Sequence, residues 1–97
     1  MRLSPQQREL ILQSVRTRLG PETRTILFGS QLDDQRQGGD IDLLLEPPTM
    51  PPLLQRAQLK LALESALGRP VDIVIHPLDR PATPFQRLAR LQGVELR

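Results

Sequence analysis

Apolar positions recur along this chain with two different periods, and each change of period marks a new element. Ile11, Val15 and Leu19, with Leu12 alongside, recur at helical spacing. Ahead of them, Ser4 is a capping residue, Pro5 fits the first helical position and Gln7 stands where a capping box takes Glu or Gln. Gly20-Pro21 ends the segment, so the pattern predicts an amphipathic helix over about residues 5–19. Residues 23–28, Thr-Arg-Thr-Ile-Leu-Phe, are β-branched and apolar and predict a strand ending at Gly29. A short helical turn is expected after Ser30. Residues 33–39 are polar and end in a glycine pair, hence a loop; residues 40–45, Asp-Ile-Asp-Leu-Leu-Leu, predict a second strand closed by Pro47-Pro48.

Residues 51–67 predict a second helix, stopped by Gly68 with Pro70 just beyond. Its apolar surface is broad: Leu54, Ala57 and Leu61 line one side, and Leu59, Leu63, Ala66 and Leu67 another. One small sheet leaves part of such a surface over, available to a second chain; the alternative is a wide stripe on a small sheet. Residues 71–75, Val-Asp-Ile-Val-Ile, predict a third strand stopped by His76-Pro77. Thr83-Pro84-Phe85-Gln86 repeats the cap, proline and Gln logic of the first helix, and a last helix runs to about Leu91, ended by Gly93. Residues 94–96 read as a short extended tail. The order α-β-(α)-β-α-β-α is that of an α/β (α+β) fold: a small mixed three-stranded sheet with packed helices, expected as one domain over 1–97.

Composition narrows this picture. The chain has 97 residues, no Trp or Tyr and two Phe, so the core must be aliphatic, and Phe28 and Phe85 are assigned to it. The ten prolines sit at segment edges as punctuation. Without cysteine there is no disulfide frame and no thiolate chemistry. No apolar run approaches membrane-spanning length and the first helix is too polar for a signal peptide, which makes cytoplasmic the default expectation.

Net charge is +2, but its distribution is uneven. Residues 1–30 carry five Arg against two Glu, residues 31–46 carry one Arg against four Asp and one Glu, and residues 47–97 carry six Arg and one Lys against four acids. An acidic block therefore lies inside a weakly basic body, suited to a divalent cation within reach of a polyanion such as a nucleoside triphosphate. An ordinary mixed surface accounts for the counts equally well. Arg2, Arg8, Arg16 and Arg18 fall largely on the polar face of the first helix, where a solvated face is the simplest reading. With no aromatic stacking platform, direct nucleic-acid binding is disfavoured. His76, the only histidine, reads as a strand-end surface residue.

The acidic block holds the chemistry. Strand side chains alternate faces, so Asp40 and Asp42 point to one side, about 7 Å apart along the strand, while Ile41 points into the core. Two carboxylates there repel each other beside a hydrophobic core unless a cation sits between them. Oxygen donors of this kind suit Mg²⁺, which keeps waters and substrate phosphates as further ligands. Asp72, flanked by Val71 and Ile73, projects away from the core and can join the pair in a two-metal arrangement. Gly29 lets backbone approach a ligand closely, and the amides after it with the Ser30 hydroxyl can bind phosphate oxygens. Each feature alone has a bland reading: a strand-end cap for Asp-x-Asp, a turn for Gly-Ser, a pair with Arg69 or Arg80 for Asp72. In order on one β-loop-β frame they supply what phosphoryl or nucleotidyl transfer needs.

The run LFGS…GGDIDLLL…VDIVI resembles the polymerase-β-like nucleotidyltransferase superfamily, in particular its minimal (MNT) members of about this length. That resemblance covers nearly the whole chain. It implies the nucleotidyltransferase fold, ATP bound at Gly29 and Ser30, and Asp40, Asp42 and Asp72 as ligands of Mg²⁺ or Mn²⁺, with Asp72 helping to activate the attacking hydroxyl. It further implies a HEPN-domain toxin as partner, with this chain as the antitoxin and AMP transferred onto the partner protein. Two departures stand against the family pattern. Gln31-Leu32-Asp33-Asp34 replaces a basic segment, with Arg36 the only nearby base, and the spacer between Ser30 and Asp40 is nine residues where ten is usual. They support an alternative, an antitoxin of the same fold with weak or absent catalysis that neutralises its toxin by binding alone. A small-molecule transferase is disfavoured, because no second domain is present to form an acceptor pocket.

Overall fold

The computed structural model describes residues 3–29 and 40–97. Ser30, the helical turn expected after it, the loop over 33–39, Arg36 and Arg2 lie outside the described residues. The described elements are α1 (Pro5–Leu19), β1 (Arg24–Phe28), β2 (Ile41–Glu46), α2 (Leu53–Leu67), β3 (Val71–Ile75), α3 (Pro84–Gln92) and β4 (Val94–Leu96). The sheet order is β3-β2-β1-β4, with β1 antiparallel to β2 and to β4, and β2 parallel to β3. The sheet has four strands where three were expected, because the short tail pairs with residues 25–27 of β1. That pairing spans most of the chain and leaves no local signature. Among the described residues no helix is long and apolar enough to cross a membrane.

Both helix starts marked by a Pro-containing cap form as capping boxes. Gln7 N donates to Ser4 Oγ at 3.1 Å and Ser4 N to Gln7 Oε1 at 2.9 Å. Thr83 and Gln86 exchange the same two bonds at the head of α3. The second helix begins at Leu53, two residues later than its pattern, with Pro52 as an extended cap that offers no side-chain acceptor.

Strand alternation sorts the core onto both faces of the sheet. Ile41, Leu43 and Leu45 of β2 pack with Ile11, Leu12 and Val15 of α1, Leu59 and Leu63 of α2 and Val71 of β3. Leu44 turns the other way and meets Ile26 and Ala89, with Phe28 and Val74 against them, under α3. Helices therefore cover both faces, and β2 is buried at every position except Asp42. A strand covered on two sides reads as an unbroken apolar run, which is why Leu43, Leu44 and Leu45 stand together.

Glu46 shares the α3 face with Leu44 and is fully buried. Its Oε2 accepts from Gln86 Nε2 at 2.6 Å and from Arg90 Nε at 2.8 Å, and the Arg90 guanidinium closes the ion pair at 2.5 Å. Gln86 thus caps α3 with its carbonyl oxygen and holds the sheet with its amide nitrogen. Arg24 stands at 3.9 Å from the other carboxylate oxygen and pairs with Glu95 of β4 at 3.0 Å. This network fixes the position of α3 over the sheet.

Truncating Arg90 to Ala leaves a buried carboxylate short of its main cation, and we expect a loss of about 3 kcal/mol in urea denaturation. Arg24→Ala, whose side chain is half exposed, costs about 1 kcal/mol or less. Equal, small losses for the two variants would contradict the buried-pair account.

Candidate active site

Asp42 is the second residue of β2 and Asp72 the second of β3, and the parallel register sets them directly side by side. Neighbouring strands lie about 4.8 Å apart, so both carboxylates leave adjacent backbones on one face. That face is the α3 face, since Asp42 has the parity of Leu44 and Asp72 that of Val74. Asp40 precedes β2 and is exposed, and its charge reaches Asp42. The Asp42 carboxyl is pushed above the ordinary carboxylate range, first by burial, then by Asp72, then by Asp40. The three acids form one negative group at the end of the sheet.

Gly29 completes this end. Phe28 is the register partner of Asp42, so the chain leaves β1 beside the carboxylate. Gly29 turns there with φ +79°, a left-handed conformation that glycine adopts without strain. A Cβ at this position would also collide with the Asp42 carboxylate and lie 3.2 Å from its Cγ. The left-handed backbone is what favours glycine here, and a Cβ would in addition displace the Asp42 carboxylate.

Asp72 is steadied from α2. Lys60 Nζ donates to the Val71 carbonyl at 2.8 Å and stands 4.0 Å from the Asp72 carboxylate, while Glu64 Oε2 accepts from Val71 N at 2.9 Å. The two α2 side chains meet the backbone N–H and carbonyl of Val71 and bring a cation to the third acid. Among the described residues no group of three or more acidic or imidazole side chains is closed tightly enough to chelate a metal as it stands. The donor set itself, carboxylate oxygens on adjacent strands beside a glycine turn, fits a hard divalent cation.

Next to Gly29, a cleft of about 220 Å³ opens between β1 and α3, lined by Phe28, Gly29, Phe85, Leu88, Ala89 and Gln92. Here one expectation fails. Phe85 is not core: it is 42% exposed and packs edge-on to Phe28 with ring centroids 5.4 Å apart. The single sheet layer assumed from sequence had no outer face for it to line. His76 is partly buried at the end of β3, 6.2 Å from the Phe85 ring.

Four of the five candidate site residues, Gly29, Asp40, Asp42 and Asp72, therefore gather at one end of the sheet, and Ser30 lies outside the described residues. Sequence reasoning missed Lys60, which left only an i, i+4 pairing with Glu64 as a signal. It also counted Glu46 with the acidic block, although Glu46 ends an apolar run in phase with Leu44 and is buried under α3.

A strand-turn frame with clustered carboxylates defines a nucleotidyltransferase architecture, and the family comparison agrees. The nucleotidyltransferase domain family matches residues 8–94, and the chain belongs to that family. Among solved structures it is similar to one named as a candidate minimal nucleotidyltransferase, with 30% identity over 92% of this chain and 88% of that one and a TM-score of 0.70. A toxin–antitoxin structure with AMP-PNP shares 27% identity at a TM-score of 0.74, covering 93% of this chain and 72% of that one. The toxin–antitoxin MntA-HpeT, in a form with two Asp→Glu substitutions at the spacing of Asp40 and Asp42, shares 25% identity at 0.73, over 93% and 71% of the two chains. Among curated proteins no match to the chain is found.

The raised Asp42 pKa has a measurable sign. An acid that holds its proton more tightly folded than unfolded favours the fold at low pH and opposes it as pH climbs through the carboxylate range. Without divalent metal, Asp42→Asn therefore melts above wild type at pH 7, and the difference vanishes below about pH 3. A variant less stable than wild type at pH 7 would contradict this electrostatic account.

Proposed function

We propose that this chain is a metal-dependent nucleotidyltransferase that moves AMP from ATP onto a partner protein, acting as the antitoxin of a HEPN-domain toxin. The observation that carries the reading is the meeting of Asp42 and Asp72 in register, with Asp40 within electrostatic reach and Gly29 against the Asp42 carboxylate. Such an arrangement costs stability in the apo chain, and a bound cation offsets it.

Asp40 and Asp42 would hold Mg²⁺ or Mn²⁺, with Asp72 completing the carboxylate set. When bound, the cation neutralises phosphate charge and lowers the barrier to attack. Gly29 and Ser30 bind triphosphate oxygens through backbone amides and the hydroxyl. Asp72 accepts the proton of the acceptor hydroxyl, whose oxygen forms a bond to the α-phosphorus as the α–β bridging bond breaks and pyrophosphate leaves. Asp72 is 57% exposed at the rim of the group, an accessible position for a base that must meet a macromolecular acceptor.

The partner reading draws support from the toxin–antitoxin neighbours and from α2. Leu53, Leu54 and Leu61 keep 67–72% of their surface exposed, and Ala57 lies between them on the same side. That apolar stripe matches the docking face of a helical partner. The acidic Gln31-Leu32-Asp33-Asp34 segment favours a second reading, in which the chain silences its toxin by occlusion alone.

Intact mass of the candidate toxin, after incubation with this protein, ATP and Mg²⁺, separates the two. We expect one or more AMP units added by wild type and none by the Asp40→Asn/Asp42→Asn double variant. An unmodified toxin that is nevertheless silenced in a stable complex by both proteins would establish occlusion instead.

A further inference from the structure

The two edges of the sheet are finished differently. β4 is three residues long and carries Glu95, which pairs with Arg24 at 3.0 Å and with Arg97 at 3.6 Å. A short, charged strand offers little to a further strand. β3 is the opposite edge, and its five residues are β-branched and apolar at every position but Asp72. Its hydrogen-bond directions follow from the register with β2. Ile41 N donates to the Pro70 carbonyl and His76 N to the Leu45 carbonyl, both at 3.0 Å, so the even-numbered residues of β3 bond inward. The N–H and C=O of Val71, Ile73 and Ile75 therefore point out from the sheet. Lys60 and Glu64 close those of Val71. The clasp ends there: among the described residues nothing hydrogen-bonds the outward groups of Ile73 and Ile75. Unpaired groups on an apolar edge are a template for an extended chain.

Position selects the occupant. A strand added to this edge lies about 4.8 Å beyond β3 and sets one side chain across from Asp72, on the same face. Asp42 holds that relation to Asp72 on the inner side. There is room for it, because α3 packs over Ile26 and Leu44 of the central strands and leaves Asp72 57% exposed. Across the sheet, Gly29 ends β1, Asp42 stands on β2 and Asp72 on β3, and the added residue comes next. That order is phosphate turn, metal acid, base and acceptor. The exposed side of α2 lies on the other face, so a partner seated on Leu54 and Leu61 reaches Asp72 around this same edge.

We infer that the open edge of β3 at Ile73 and Ile75 receives an extended segment of the partner protein as an added strand, and that this pairing sets the acceptor hydroxyl beside Asp72. This assignment rests on the nucleotidyl-transfer reading above. The acceptor is then a Ser, Thr or Tyr in an extended, apolar stretch, with the residues across from Ile73 and Ile75 turned to the α2 side of the sheet. The acceptor hydroxyl gives its proton to Asp72, its oxygen bonds to the α-phosphorus of ATP, and pyrophosphate leaves. Backbone pairing holds the segment whatever its side chains, and the register with Asp72 selects which hydroxyl reacts.

Amide hydrogen exchange, read residue by residue by NMR in the free chain and in its complex with the candidate toxin, tests the edge without relying on turnover. The Ile73 and Ile75 amides exchange fast in the free chain, and the complex slows them at least about ten-fold. Ile73→Pro removes an outward N–H and spares the inward ladder. It slows AMP addition to the toxin about ten-fold and leaves Mn²⁺ binding unchanged; Ile75→Pro gives the same test at the strand end if the partly buried Ile73 does not tolerate proline. A toxin that gains AMP while both amides stay fast in the complex overturns the edge and leaves the transferase reading standing. Protection already present in the free chain, rising with its concentration alongside a dimer in sedimentation, assigns the edge to a second copy and overturns the proposal. No AMP gained with wild type overturns the transferase reading, and the acceptor role of the edge with it.

Discussion

The structure depends on how one strand disposes of its acids. Asp42 and Glu46 lie on the same face of β2 with only Leu44 between them in phase. Glu46 is fully buried, and Gln86 and Arg90 both meet its Oε2. Asp42 is half buried, and its pKa is raised by that burial first and then by Asp72 and Asp40. Burying a charge is tolerable where a cation and hydrogen bonds meet it, and costly where like charges meet it. The first arrangement builds the fold. The second costs stability in the free chain, which is why the proposed activity is placed there.

The two ends of β2 also cooperate. The Glu46 clamp holds α3 over the sheet, and α3 then presents Phe85, Leu88 and Gln92 beside Phe28 and Gly29. On the opposite face α2 buries Leu59 and Leu63 in the core while Lys60 and Glu64 close the edge of β3 one residue before Asp72. Three residues of the site are thus positioned by different elements: Asp42 by the central strand, Asp72 by the β3 edge and its α2 clasp, Gly29 by the end of β1. The exposed side of α2, with Leu54 and Leu61, looks away from this work and is free to meet another chain.

Local chemistry made part of this legible in the sequence. Ser4-Pro5 with Gln7 and Thr83-Pro84 with Gln86 each specify a helix start within four residues, and both form as written. Strand parity likewise put Asp42 opposite Ile41 and Asp72 opposite Val71. Non-local pairing was not legible. Residues 94–96 form an edge strand only because β1 is there to receive them, and Glu46 is buried only because α3 crosses the outer face. Phe85 looked like core because two aromatics in an aliphatic chain are usually buried, and the outer layer that exposes it has no sequence period. The stretch 43–45 gave a strand but concealed its two-sided burial, since alternation disappears when both faces are covered.

Membership of the nucleotidyltransferase domain family accounts for the frame, and the aspartate group is the feature on which the proposed activity turns. Direct cation binding tests that group most simply. Electron paramagnetic resonance of free Mn²⁺, titrated with this protein alone, reports binding without any need for nucleotide, partner or turnover. The account predicts that wild type removes Mn²⁺ signal stoichiometrically and that Asp40→Asn/Asp42→Asn leaves it free. Equal loss of signal with both proteins, or with neither, would contradict it.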